Sequence, residues 1–119
     1  MSPEVITSSM GVEPVAAHPV GGQRMTPSGR ELGGQYAETY WACELGDRTD
    51  SDFGEALNTV NTWMHHRSAF VVDFVRSGGA VEYYISVTCK GRLATELTPN
   101  VLAQCVQLGA KVSLEIFNR

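Results

Sequence analysis

Apolar positions recur along this chain in two rhythms. In AVEYYISVT, Val81, Tyr83, Ile85 and Val87 alternate with Glu82, Tyr84, Ser86 and Thr88, the period of a strand with one face in a core and the other in water. Val112, Leu114 and Ile116 repeat that alternation near the end of the chain. YAETYWACEL does so earlier, with Ala37, Thr39, Trp41, Cys43 and Leu45 on one side and Glu38, Ala42 and Glu44 on the other. Elsewhere the spacing is helical. In FGEALNTVNTWMHHR, the residues Phe53, Ala56, Leu57, Val60, Trp63 and Met64 fall on one stripe, as on an amphipathic helix. SAFVVDFVRSGG fits both periods: Phe70, Val72 and Phe74 alternate, but Asp73, Arg76 and Ser77 gather on a helical polar face. The Gly78-Gly79 stop decides for helix.

Punctuation adds two short helices that begin alike. Ser2-Pro3 and Thr98-Pro99 each offer an N-cap followed by proline at the first helical position. Gly11 and Gly109 end them as residues free to take positive φ. Val5, Ile6 and Met10 supply the inward face of the first helix; Val101, Leu102, Cys105 and Leu108 supply that of the second. VEPVAAHPV, flanked by Pro14 and Pro19, reads as extended and suits an edge strand. Residues 19–35 hold five of the twelve glycines and two of the five prolines without periodicity, which predicts a long flexible glycine-rich loop. GDRTDSD is a polar turn before the long helix, and CKGRLATE turns through Gly91. One-sided strands alternating with helices predict an α+β two-layer sandwich. Its sheet is mainly antiparallel or mixed, of about four to five strands, with three or four helices on one face. If the last two strands are parallel, their crossover is right-handed.

Composition narrows this picture. With 119 residues and 43% hydrophobic content the chain is expected to form a single domain, residues 1–119, able to build a core without metal or disulfide staples. A formal charge of −4 and scattered Lys and Arg argue against a nucleic-acid surface. The apolar run around AFVV is far too short for a bilayer, and the opening residues lack a basic, apolar leader, so a cytoplasmic protein is expected. Cys43, Cys89 and Cys105 are odd in number and far apart. They read as buried free thiols rather than a disulfide framework or a zinc site.

Each candidate for chemistry has a plainer reading beside it. At about 100° per residue, His65 and His66 lie on opposite flanks of the helical stripe and cannot converge on one ion; solvated helix surface explains them. His18 has no recognisable partner. Asp47, Asp50 and Asp52 miss the calcium-loop pattern, since Asn61 stands where a glutamate is needed. A negative first turn favouring the helix dipole accounts for them. Arg24 and Arg30 in the glycine-rich segment could cradle an anion, but a strand rather than a helix N-terminus follows. Neither a nucleophile elbow nor a locally activated thiol is visible, so no catalytic residue, cofactor or metal ligand is assigned. Arg67 falls on the apolar stripe: either its stem packs along the core edge with the guanidinium reaching out, or it pairs with a buried acid such as Asp73. In the second case it marks a pocket.

The stretches SPEVITSSMGVEP, the glycine-containing segment leading to Trp41, the long helix before Gly78-Gly79 and the closing LTPNVLAQCVQLGAKVSLEIF resemble, in order and over nearly the whole chain, a mainly bacterial family with some viral members. It is catalogued as a domain of unknown function, family 4279. The resemblance implies no reaction, ligand or catalytic residue. It implies a β-strand before the first helix, which this chain lacks, and therefore an exposed sheet edge. Pairing of two copies into a homodimer through that edge, or marginal stability, is the expectation.

Two functions follow. The leading one is a non-catalytic interaction module that offers the outward row containing Glu82 and Tyr84 to a protein partner; small acidic immunity or inhibitor proteins are the analogy. The rival is a small-molecule-binding protein or minor hydrolase with a pocket near the glycine-rich segment and Arg67.

Overall fold

A computed structural model describes residues 1–25, 28–45, 53–92 and 94–118. The architecture is α+β, with four helices and six strands among these residues. The structure is described as two compact units, Met1–Asp47 and Arg48–Arg119. The Asp47, Asp50 and Asp52 group lies outside the described residues.

The first unit opens with helix α1 (Pro3–Met10), which carries proline in its first turn and is closed by Gly11 at φ 72°. Four strands follow: β1 (Ala16–His18), β2 (Gln23–Met25), β3 (Glu31–Gln35) and β4 (Tyr40–Ala42). β1 pairs antiparallel with β4, and β2 antiparallel with β3. Between the two ladders, the Gly21 amide donates to the Tyr36 carbonyl, the Tyr36 amide to the Gly22 carbonyl, and the Val20 amide to Thr39 Oγ1. The four strands are thus one long antiparallel ribbon, interrupted where Pro19 has no amide to donate. The His18 imidazole stacks on Tyr36 at 4.2 Å and on Tyr40 at 6.0 Å, bracing this interruption. The flexible loop expected over residues 19–35 is therefore corrected: it holds β2 and β3. All five residues of β3 are exposed, so its strand character left no alternation to read.

Helix α1 is tied to the ribbon through Trp41, whose indole N–H donates to Thr7 Oγ1 at 3.0 Å. The Thr7 hydroxyl in turn donates to the Pro3 carbonyl at 3.1 Å. Each hydrogen bond polarises the next in such a chain. Val5, expected inside, is 47% exposed; α1 buries Pro3, Ile6 and Met10.

The second unit comprises α2 (Phe53–His65), α3 (Ser68–Arg76), β5 (Val81–Cys89), α4 (Pro99–Leu108) and β6 (Ala110–Asn118). The ambiguous segment SAFVVDFVR is helical. α3 stops where the Gly79 amide bonds the Phe74 carbonyl; a Cβ at Gly79 would collide with the Phe74 ring. β5 and β6 pair parallel in continuous register from Val81↔Ala110 to Cys89↔Asn118, with α4 as the crossover. The core gathers Leu57, Asn61 and Met64 of α2, Val71 of α3, Tyr83 of β5, and Val101, Cys105 and Leu108 of α4. Leu102, expected on the inner face of α4, is 46% exposed.

Among the described residues the strands form three two-stranded sheets, smaller than the expected sheet of about four to five strands. Chain connectivity explains the difference. β1 to β4 satisfy their backbone groups across a hairpin, where loop closure costs least. β5 and β6 pair in parallel, an arrangement that needs a crossover connection, and α4 supplies it.

Candidate functional site

The most organised surface of the second unit is the outward face of β5–β6. Alternation sends Glu82, Tyr84, Ser86 and Thr88 outward, and all four are exposed, as the sequence predicts. The parallel register sets Glu82 beside Lys111, and Tyr84 beside Ser113. Glu82 Oε2 accepts from the Ser113 hydroxyl at 2.6 Å and forms an ion pair with Lys111 Nζ at 3.3 Å. The Ser113 hydrogen bond first, and Lys111 second, hold the Glu82 carboxyl below its ordinary 4.5. One strand step away, the Glu115 carboxylate raises the Tyr84 phenol above its usual value. Carboxylates, hydroxyls and an ammonium are thus pinned to one another across two strands while facing water. The arrangement can recognise polar groups.

A second polar cluster is interior. Asn61 of α2 is 1% exposed. Its Oδ1 accepts from the Tyr83 hydroxyl at 2.9 Å, and its Nδ2 donates to the Val101 carbonyl at 3.2 Å and to Cys105 Sγ at 3.4 Å. Burial, and then the neighbouring Cys105, push the Tyr83 phenol well above its ordinary range. The amide thus ties β5, α2 and α4 together with its polar atoms satisfied, which is how a buried polar group avoids its desolvation cost. Sequence reasoning missed it because Asn61 interrupts an apolar stripe and signals only as an outlier. Its position four residues after Leu57 and three before Met64 is the one clue that it faces the core.

The Arg67 guanidinium carbon lies 3.6 Å from the Trp63 ring centroid, and Nη1 donates to the Trp63 carbonyl at 2.9 Å. Arg67, just past the end of α2, therefore folds back over the last turn of that helix, where a cation suits the dipole. Asp73 is exposed on α3, so it is not the buried acid considered for Arg67. His65 and His66 are exposed. Arg24 and Arg30 are exposed on the ribbon of the first unit, where Arg24 Nη1 reaches the Gly33 carbonyl at 3.5 Å. Cys105 is buried as expected, whereas Cys43 and Cys89 are only half-buried. An open groove of about 220 Å³ runs between Val72, Val75 and Arg76 of α3 and Val106, Gln107 and Leu108 of α4. Neither Arg67 nor a histidine lines it.

Among the described residues, no group of three or more His, Cys, Asp or Glu side chains could hold a metal ion, and no helix is long and apolar enough to cross a membrane. The chain matches no family model, no curated protein and no solved structure.

Proposed function

We propose that this protein is a small non-catalytic interaction module that presents the outward face of β5–β6 to a protein partner. The observation that carries this reading is the Glu82–Ser113–Lys111 network on the face that also carries Tyr84, open to solvent yet already held in place by bonds within the chain. Side chains ordered before contact lose less entropy on binding, and tyrosine suits such surfaces. An immunity-type or inhibitor role in the cytoplasm is the particular form favoured by small size and a charge of −4. Placement beside the domain-of-unknown-function family 4279 is part of the same proposal, supported by the order of caps and glycine stops along the chain. The test is affinity capture at endogenous concentration, repeated with the Glu82→Lys/Tyr84→Ala double variant. A partner captured by the native protein and lost by the folded variant is expected. Equal capture by both would sink the reading.

A further inference from the structure

We propose that β6 pairs with β6 of a second copy of this chain, antiparallel about a two-fold axis at Ser113, making a four-stranded sheet in the order β5–β6–β6–β5. The first observation is an asymmetry between the two strands. Ile85 and Val87, on the helix side of β5, are half-buried, whereas Leu114 and Ile116 on the same side of β6 are 44% and 46% exposed. Among the described residues, β6 pairs only with β5, so its other edge carries unused amides and carbonyls beside uncovered apolar side chains. Such an edge is a template for another strand.

The second observation is charge complementarity, which selects both the occupant and the register. A two-fold antiparallel pair sets residues at equal distances on either side of its axis opposite one another, on the same face of the sheet. With the axis at Ser113, Lys111 of each copy faces Glu115 of the other, twice. On the helix side Val112 then meets Leu114, and Ala110 meets Ile116. Moving the axis to Leu114 sets Lys111 against Phe117 and Ser113 against Glu115; moving it to Val112 sets Lys111 against Ser113. Only the axis at Ser113 opposes unlike charges while keeping apolar residues together, and opposite-charge cross-strand pairs are the favoured ones. Lys111, whose side chain is 73% exposed and borders Glu82, would then lie between two carboxylates, one from each copy.

This inference concerns the sheet edge rather than its outward face, so its failure would leave the partner reading standing. Native mass and sedimentation measurements on the whole chain test it. The unmodified protein should dimerise in roughly the micromolar range, and more weakly as salt rises, because the paired charges border solvent. Lys111→Glu alone and Glu115→Lys alone should each weaken self-association by about tenfold or more, because like charges then face each other twice. Mixing the two variants pairs unlike charges at both positions and should restore dimers to within about threefold of the native affinity. A monomeric native protein overturns the proposal, including one whose β6 edge is taken by a different protein. So does a dimer indifferent to salt and to both reversals.

Discussion

The Tyr83 phenol donates to Asn61 Oδ1 across 2.9 Å, and both residues are buried. This contact links the parallel strand pair to α2, while the amide nitrogen of the same residue reaches α4. Removing the amide therefore undoes a junction of three elements. Asn61→Ala should cost about 3 kcal/mol, because it opens a cavity and leaves the Tyr83 hydroxyl without its acceptor. Tyr83→Phe should cost about 1 kcal/mol, since Cys105 can still engage the amide. Urea unfolding of the two single variants and the double variant checks this, with an expected coupling of about 1 kcal/mol.

The same phenol predicts a loss of stability in alkali. Its pKa is raised above the ordinary 10.0 by burial, so the folded chain keeps a proton that the unfolded chain releases. The contribution is complete below pH 10 and declines as pH rises beyond it. Tyrosinate absorbance should show one of the four tyrosines titrating only as the chain unfolds, and that late step should vanish in Tyr83→Phe. A Tyr83 that ionises while the chain is still folded would contradict the assignment.

The two proline-started helices make a controlled comparison. Ser2 and Thr98 occupy the same extended backbone region, at φ −83° and −72°, but only the Thr98 side chain accepts from the helix, through the Val101 amide. Thr98→Ala should therefore destabilise by about 1 kcal/mol, whereas Ser2→Ala should be close to neutral. Thermal melts of the two variants decide it; equal losses would mean that the caps work alike.

Those helices also show what the sequence can and cannot express. Proline at the start and glycine at the end mark both helices, and Gly11 and Gly109 reach nearly the same conformation, φ 72° and 69°. Yet the matching Val-Ile and Val-Leu pairs are buried oppositely: Ile6 is inside and Val5 outside, while Val101 is inside and Leu102 outside. Caps act through local backbone bonds and are legible; the rotation of a helix depends on what it packs against and is not. The hairpin of β2 and β3 was hidden for a related reason, because a strand exposed along its length has no apolar period. The outward row of β5 was readable because the opposite face of that strand is apolar and buried or half-buried. The interior junction was not, because an asparagine announces neither its partners nor its depth.

Gly109 offers the sharpest test of packing. It holds φ 69°, and a Cβ there would approach Val75 Cγ1 to 2.9 Å. Gly109→Ala should cost about 1–2 kcal/mol through left-handed strain together with the clash. Adding Val75→Ala should relieve the steric part of that penalty, so the double variant should lose less than the two single losses added together. Strict additivity would show that α3 is not pressed against this turn.

α4 ends at Leu108 and β6 begins at Ala110, with the single residue Gly109 between them. A join this short has no slack, so the phase of the helix and the pleat of the strand are geared together. One residue inserted there would turn β6 by a pleat, bringing Lys111, Ser113 and Glu115 towards the helices and Val112, Leu114 and Ile116 into water. Substitutions along α4 or β6 can be absorbed one side chain at a time, but a change of length at Gly109 alters both faces of the sheet at once. Natural variation in this chain should accordingly spare the length of that join even where the residues around it differ.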